Sequence, residues 1–297
     1  MKDEALFYQR YRKQMAPLLG DALMTQAEFA AMCSEALRGM ERIETDGSGQ
    51  RGCLYYRCRE EDGMLRCSVP VFGYEAPDEK TMVRLFQKLG ATVVKDKPCE
   101  FSLRLYSGDR ECIQALHLMQ FGTIAEKGVL QNRFPVEAPT SGWEVRVLHP
   151  QEIRARWKEI WAATAQIVRH LQQSPIFYPG EEFTEEVYRD FYLDDAVHLL
   201  AAERAGQIIG IIEWNEEQNP LISDKFPSVN VGEAFVDPAY RASGLAPLLL
   251  QTAQQQSRNA GAEFLWVEHG TANPNARGFW NRYFQTYEYE LIRTVTR

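Results

Sequence analysis

A turn in the second half of the chain carries the clearest chemistry in the sequence. An apolar strand ends at Val236, and the segment Asp-Pro-Ala-Tyr-Arg-Ala-Ser-Gly-Leu-Ala leads from it into a helix expected over Pro247 to Ala260. Gly244 permits unusual backbone angles and close approach of a ligand, and Ala246 keeps the helix entrance narrow. Converging backbone N–H groups at a helix N-terminus bind phosphate oxygens. The turn is therefore a candidate phosphate site.

A carboxylate lies on the strand that precedes this turn. The two-residue period of a strand places Val231, Glu233 and Phe235 on one face. Apolar neighbours raise the pKa of a carboxyl group towards the range that suits proton removal from an ammonium. Glu233 is thus a candidate general base, acting directly or through a water, and the alternative is a substrate-binding or structural carboxylate. Further candidates for this role are Glu213, Glu268 and His269.

The strand, the turn and the helix that follows it resemble the acyl-CoA signature of the GNAT acetyltransferase superfamily. The turn has the pattern V-D-P-x-Y-R-x-x-G-x-A, and in that family an Arg/Gln-x-x-Gly-x-Gly/Ala loop holds the CoA pyrophosphate. A second stretch, Asn273-x-x-Ala276-x-x-Phe279-Trp280, is similar to the family's N-x-x-A-x-x-F-Y helix, whose Asn meets the pantetheine arm. The order of elements from Trp143 to Arg297 also matches, so the resemblance covers the second half of the chain.

The resemblance implies that acetyl-CoA is the acyl donor and that no metal takes part. The residues that it assigns to the cofactor are Phe235, Val236, Arg241, Ala242, Ser243, Gly244, Leu245, Ala246, Asn273, Ala276 and Trp280. The loop amides would bind the diphosphate, Arg241 would brace the loop, and an amide near Phe235 or Val236 would donate to the thioester oxygen where the strand splays from its neighbour.

The acid that reprotonates the CoA thiolate is less directly assigned. Trp280 stands where many members of that family place a tyrosine for this role. Tyr283, one helical turn further on, is the substitute candidate, and the alternative is a core aromatic residue. Pro247 suits the first turn of a helix but removes one N–H from the phosphate site.

The elements around these residues predict a tandem of α/β domains with mixed sheets. The segment Phe134 to Gly142 has two prolines and a glycine and no helical or strand period, which predicts a linker between domains 1–135 and 142–297. In the second domain, helices are expected over 151–171 and 184–192, followed by a hairpin at Ala205-Gly206.

The first domain repeats this order of elements and is expected to be a degenerate GNAT-like unit. Thr25 and Glu28 form a capping-box pattern, and Asp62-Gly63 predicts a hairpin turn. This unit should not bind CoA, because it has no R-x-x-G-x-A loop and because Asp78 and Glu79 would repel a pyrophosphate at the helix start. We expect it to cover the second domain's sheet and to wall the amine pocket, with Ile176 to Gly180 as an aromatic rim of that pocket or a plain loop.

Composition excludes several classes of protein. The formal net charge of −8 and the absence of a concentrated basic face argue against a nucleic-acid partner. No apolar stretch approaches the ~20 residues of a membrane span, and no signal-peptide core is present, so we expect a cytoplasmic protein. The six cysteines form no CxxC pair and are interpreted as buried hydrophobic residues of a reducing compartment.

The sequence therefore favours an N-acetyltransferase that moves an acetyl group to a primary amine of a small molecule or protein by direct attack in a ternary complex. The alternative is a catalytically inactive acyl-CoA-binding module, which the tryptophan at position 280 keeps open. A transferase that uses aminoacyl-tRNA is disfavoured by the acidic balance. The sequence leaves the acceptor and the oligomeric state open.

Overall fold

The computed structural model describes residues 3–47, 50–95, 97–139, 142–178 and 183–296, and the chain forms two compact units. The first unit comprises Met1–Lys127 and Thr286–Arg297, and the second comprises Gly128–Gln285. No described helix combines the length and apolar character that a membrane span requires.

The first unit is a mixed α/β layer. Its elements are α1 (Glu4–Leu19), α2 (Gln26–Ala36), β1 (Glu41–Gly47), β2 (Gln50–Glu61), β3 (Met64–Val69), β4 (Tyr74–Glu75), α3 (Glu79–Val93), β5 (Cys99–Tyr106), α4 (Arg110–Leu118) and the start of β6 (Gly122–Gln131). The last strand of the chain, β12 (Gln285–Val295), also belongs here and pairs antiparallel with β5. The strand order is β1-β2-β3-β5-β12-β6, with β4 on β2.

The second unit has the same kind of architecture. Its elements are the end of β6, then β7 (Glu144–Val147), α5 (Pro150–Ala155), α6 (Trp157–Gln172), α7 (Glu185–Tyr192), β8 (Val197–Arg204), β9 (Gln207–Asn215), β10 (Ser228–Val236), α8 (Leu245–Asn259), β11 (Phe264–Gly270) and α9 (Pro274–Tyr283). The strand order is β6-β11-β10-β9-β8-β7.

Both units repeat one connection. In the first, β3 runs parallel to β5 and α3 links them; in the second, β10 runs parallel to β11 and α8 links them. Helices precede an antiparallel strand pair in each unit. The expected mixed α/β architecture and the tandem repeat are therefore confirmed.

The two units divide the chain within β6 and at the start of β12. The sequence analysis places the domains at 1–135 and 142–297, and that assignment stays a prediction.

Two apolar clusters cover the faces of the second unit's sheet. We call them the α8 face, where Leu249 and Leu250 pack with Trp280, and the α6–α7 face, where Ile160 packs with Tyr192. Each strand residue between them contributes to one face only. This division decides which side chains can reach a ligand on either side of the sheet.

Two local expectations change in detail. The helix expected over 151–171 is divided at Arg156, whose side chain is held by Glu159 and Glu203. The expected linker has no helix or strand between residues 134 and 139, but it is packed rather than loose: Val136 is only 2% exposed and lies in the α8-face cluster.

Candidate active site

A β-bulge in β10 sets the geometry of the site. Val231 lies opposite Trp214 and Ala234 opposite Ile212, so Gly232 and Glu233 together face one residue of β9. That residue is Glu213, whose Oε1 accepts a hydrogen bond from the Glu233 amide at 3.2 Å.

Glycine at the first position of the bulge leaves room for the Glu213 carboxyl group. A Cβ on Gly232 would lie 2.3 Å from Glu213 Oε1, which is closer than any real contact. The Glu213 carboxyl therefore occupies the space that a side chain at position 232 would need.

The extra residue corrects the expectation that Val231, Glu233 and Phe235 share one face. Val231 packs in the α8-face cluster, whereas Phe235 packs in the α6–α7-face cluster. Glu233 accepts a hydrogen bond at 2.8 Å from the hydroxyl of Tyr188, which belongs to the α6–α7 face. A simple two-residue period missed this change because the bulge shifts the register by one residue.

The strands β10 and β11 separate where the sequence predicts a splay. Their paired residues run only from Ser228–Phe264 to Asn230–Trp266, while β10 continues to Val236 and β11 to Gly270. The far half of β10 therefore has one edge that β11 does not cover.

The hydrogen-bond alternation on β10 identifies the amide that points into this gap. Asp237 N donates to Ile209 O at 2.9 Å, so the opposed residues 237 and 209 form a hydrogen-bonded pair. Hydrogen-bonded and non-hydrogen-bonded pairs alternate along an antiparallel ladder. Phe235 thus bonds towards β9, and Val236 directs its N–H and C=O to the β11 side. Of the two residues assigned to the thioester oxygen, Val236 has the suitable amide.

Arg241 braces the turn as expected from the resemblance. Its Nε donates to the Val236 carbonyl at 3.3 Å. The turn itself begins with a short 3₁₀ segment, Pro238–Tyr240, where the Asp237 side chain accepts from Ala239 N. The guanidinium is therefore used to hold the strand end against the loop.

The loop amides fit a diphosphate. Ala242 has φ +60° and Gly244, the N-cap of α8, has φ +87°, so successive peptide groups turn inwards. Within the described ranges, no backbone or side-chain atom accepts from the amides of Ala242, Gly244, Leu245 or Ala246. The Ser243 amide and hydroxyl both donate to the Tyr240 carbonyl, the amide at 3.4 Å.

Pro139 occupies the space next to Gly244 in this loop. A Cβ on Gly244 would lie 2.3 Å from Cγ of Pro139. The space left by the missing side chain is thus filled by Pro139, and the fit to a diphosphate rests on the four amides without acceptors. Sequence analysis did not predict this contact, because Pro139 lies in the segment expected to be a linker.

Two carboxyl groups meet on the α6–α7 face. Glu233 is half-buried, and burial raises its pKa while the Tyr188 hydroxyl opposes that rise. Glu213 is 2% exposed, and burial together with the Glu233 charge raises its pKa to about 8. The Asn215 amide donates to Glu213 Oε2 at 3.3 Å. Such a pair can hold one proton more readily than two charges.

Aromatic side chains line the region around this pair. Tyr188 lies 6.2 Å from Trp161 and 6.3 Å from Phe183, measured between ring centroids. Of the expected rim from Ile176 to Gly180, Phe177 is exposed, and the last two residues lie outside the described ranges. Tyr188 was not foreseen as a site residue, although its position on the helix facing the sheet offered a signal.

Of the α9 residues expected to bind the cofactor, one caps the helix and another is buried in the core. Asn273 caps the helix and accepts from Asn275 N and Ala276 N at 3.2 and 3.1 Å. Trp280 is 5% exposed and packs against Phe284 within the α8-face cluster.

Tyr283 is half-buried between Phe279 and the Arg282 guanidinium. Two of the other candidate bases, Glu268 and His269, lie on β11, the strand next to β10. The described ranges hold no cluster of three or more His, Cys, Asp or Glu side chains arranged for a metal ion.

Comparisons with known proteins agree with this architecture. The Acetyltransferase (GNAT) family model matches residues 165–284. A search of curated protein sequences finds no match. A solved GCN5-related N-acetyltransferase from Sphaerobacter thermophilus is 14% identical, with 90% of this chain and 91% of that one covered at a TM-score of 0.51. This likeness shows the fold over both units.

Two further solved structures are less similar in their superposition. A tandem GNAT protein from the clavulanic acid biosynthesis pathway is 12% identical, with 99% of this chain and 95% of that one covered at a TM-score of 0.46. A ribosomal-protein-alanine N-acetyltransferase from Brucella melitensis biovar Abortus 2308 is 14% identical, with 48% and 90% covered at a TM-score of 0.39.

Proposed function

We propose that the chain transfers an acetyl group from acetyl-CoA to a primary amine, a proposal that the match of the acetyltransferase (GNAT) family model to residues 165–284 supports. The observation that carries this proposal is the set of four loop amides without acceptors at the start of α8, directly after a strand whose edge is free of β11. When bound, acetyl-CoA supplies the activated acetyl group, and its thiolate leaves with the electron pair.

The chain's own residues then have separate tasks. The amides of Ala242, Gly244, Leu245 and Ala246 would hold the diphosphate, and Asn273 and Ala276 at the start of α9 would bind the pantetheine arm. The Val236 N–H would donate to the thioester oxygen and stabilise the negative charge that develops there.

Glu233 takes a proton from the acceptor's ammonium group, which leaves the neutral amine with the lone pair that attacks the thioester carbonyl. It is half-buried and stays hydrogen-bonded to Tyr188, so its carboxylate is oriented towards the α6–α7 face. Burial raises the pKa of Glu233, which makes its carboxylate a stronger base than an ordinary exposed carboxylate. Tyr283 is the proposed donor of the proton that the leaving thiolate needs.

The surroundings of the carboxyl pair support a cationic acceptor. The groups whose charges act on Glu213 are Glu233 and Glu217, both acidic, and the polar partner of Glu233 is a phenol. An amine in its ammonium form is attracted to this negative potential and to the faces of aromatic rings. An acceptor that carries its own carboxylate would be repelled.

Thiol release from acetyl-CoA tests the proposal on matched acceptors. Tyramine and tyrosine differ only in the carboxylate, as do tryptamine and tryptophan, so each pair isolates that group. We expect turnover with the amines and slower turnover with the amino acids. Binding of CoA without turnover on any amine, protein amines included, would instead favour an inactive acyl-CoA-binding module. Absence of both binding and turnover would refute the proposal.

A further inference from the structure

Two cysteines face each other across a hairpin of the first unit. Cys58 on β2 is the direct partner of Cys67 on β3. The hairpin closes through Asp62 and Gly63, whose φ values of 52° and 75° are those of a two-residue type I′ turn. The opposed residue pairs of the hairpin can therefore be numbered outwards from the closing pair Glu61–Met64.

This count places the cysteines at the closer kind of opposed pair. The residues that flank a two-residue turn form a hydrogen-bonded pair, and the pairs alternate from there. Cys58–Cys67 is three pairs beyond Glu61–Met64 and is thus non-hydrogen-bonded. Such pairs have Cα atoms about 4.5 Å apart, within the range of roughly 4.4–6.8 Å that a disulfide spans.

The two thiols interact and differ in access. Their interaction opposes the rise in the pKa of Cys58 and adds to the rise in the pKa of Cys67, which favours the thiolate of Cys58. Cys58 is half-buried, whereas Cys67 and the other four cysteines are buried. An oxidant from solvent therefore meets Cys58 first, with Cys67 in place to react next.

We propose that Cys58 and Cys67 are a dithiol site that low-molecular-weight disulfides oxidise to a cross-strand disulfide. The Cys58 thiolate attacks one sulfur of oxidised glutathione, which breaks the S–S bond and releases one glutathione thiolate. Cys67 then loses its proton to solvent and attacks the Cys58 sulfur, which releases the second glutathione. The protein loses two protons and two electrons, and the oxidant takes them up to become two thiols.

Burial of the two thiols limits the rate at which they are oxidised. Burial raises the pKa of both thiols, so thiolate is scarce near neutral pH and oxidation should accelerate as pH rises. The resulting bond would close a short loop around the Asp62-Gly63 turn without changing the register. This site involves the first unit alone and is independent of acetyl transfer.

Peptide mapping of the native full-length protein tests the proposal. The protein is held in buffers of graded reduced-to-oxidised glutathione ratio, quenched with acid, denatured, alkylated with N-ethylmaleimide and cleaved with trypsin without reduction. Of the six cysteines, we expect four to be alkylated after oxidation. The peptide 67–80 should appear joined to the dipeptide 58–59, lighter by two hydrogens than the two separate peptides together, and it should vanish after reduction.

Variants add a control. Cys58→Ser and Cys67→Ser should each abolish the linked peptide, whereas Cys53→Ser should leave it unchanged, because Cys53 lies opposite Glu44 and Glu75 rather than a thiol. The wild-type map decides the question even where a variant does not fold. Persistent glutathione on Cys58, a different cysteine pair, or linkage only after denaturation would each overturn the proposal.

Discussion

At the residue scale, two neighbouring carboxyl groups have different tasks because their surroundings differ. Glu233 is half-buried and meets a phenol, while Glu213 is enclosed and supports the bulge through the Glu233 amide. The bulge turns Glu233 to the α6–α7 face, and the enclosed Glu213 holds the proposed base in place through its amide. Substitutions at the two positions should therefore have different effects.

Glu233→Gln should remove the proton acceptor while keeping the hydrogen bond from Tyr188. Since burial raises the pKa of Glu233, wild-type turnover should rise with pH through an apparent pKa above the ordinary carboxyl value. The variant should lose about 100-fold in turnover with little change in KM for acetyl-CoA. Steady-state kinetics across pH measures both, with the exposed Glu263→Gln as control. Unchanged turnover across pH would eliminate Glu233 as base.

Glu213→Gln should change stability in a pH-dependent way. The pKa of Glu213 is raised from 4.5 to about 8, so its contribution to stability is fully present at low pH and is lost as pH rises through the folded-state value. Glutamine does not titrate and still accepts from the Glu233 amide. We therefore expect the free energy of unfolding of the variant, relative to that of the wild type, to increase between about pH 5 and pH 9.

Denaturant unfolding at several pH values measures this difference. Glu213 interacts with Glu233, Glu217, Asn215, Tyr188 and Tyr192. The same series with Glu263→Gln controls for a surface carboxylate. A gap between variant and wild type that stays constant over the range would contradict a buried, protonated Glu213.

At the element scale, the segment 134–139 and α8 together build the cofactor loop. Gln254 accepts from Val136 N and donates to Phe134 O, and Gln251 donates to Val136 O, each at 2.8 Å. These bonds fix the segment along α8 and bring Pro139 against Gly244. An apparent linker is thus part of the wall of the candidate phosphate site.

Gly244→Ala should weaken CoA binding. The new methyl group would meet Pro139, and a residue with a Cβ is strained at φ +87°. A shift of the helix start would misalign the four amides, so we expect affinity to fall by roughly tenfold or more. Isothermal titration measures it. Gly90→Ala in α3, where nothing lies within 4 Å of the new Cβ, should leave affinity unchanged. Equal affinity in both variants would contradict the account.

The sequence predicted those elements whose determinants are local. The capping box at Thr25 and Glu28 and the hairpin at Ala205-Gly206 are present as expected, because each depends on residues a few positions apart. The bulge in β10 was missed because it depends on Glu213, 20 residues away from the amide that it holds. Distant side chains of this kind leave no period in the sequence.

At the scale of the whole molecule, the last strand completes the first unit. Within that unit β12 lies between β5 and β6, and Leu291 is fully buried. Arg104 on β5 pairs with Glu288 and Glu290 of β12, and Ser102 donates to Glu290 at 2.6 Å. A local reading of the sequence could not assign this partner, because strand pairing over such a separation depends on packing and not on the strand's own pattern.

Deletion of residues 286–297 should therefore destabilise the first unit. It removes every antiparallel partner that β12 gives β5 and leaves an unpaired strand edge. Hydrogen exchange should show loss of protection across Cys99–Tyr106. Deletion of residues 296–297 alone, beyond the end of β12, is the control and should preserve that protection. Full protection of β5 in the longer deletion would show that the strand does not support this unit.

The central claim is that peptide amides at the start of α8 bind a diphosphate, and paired calorimetric titrations with CoA and with pantetheine test it most directly. Pantetheine keeps the thiol arm and lacks the diphosphate. We predict that CoA binds and that pantetheine binds at least roughly 100-fold more weakly, since the charged contacts are lost. Equal affinity for the two ligands, or no heat from CoA, would contradict the claim.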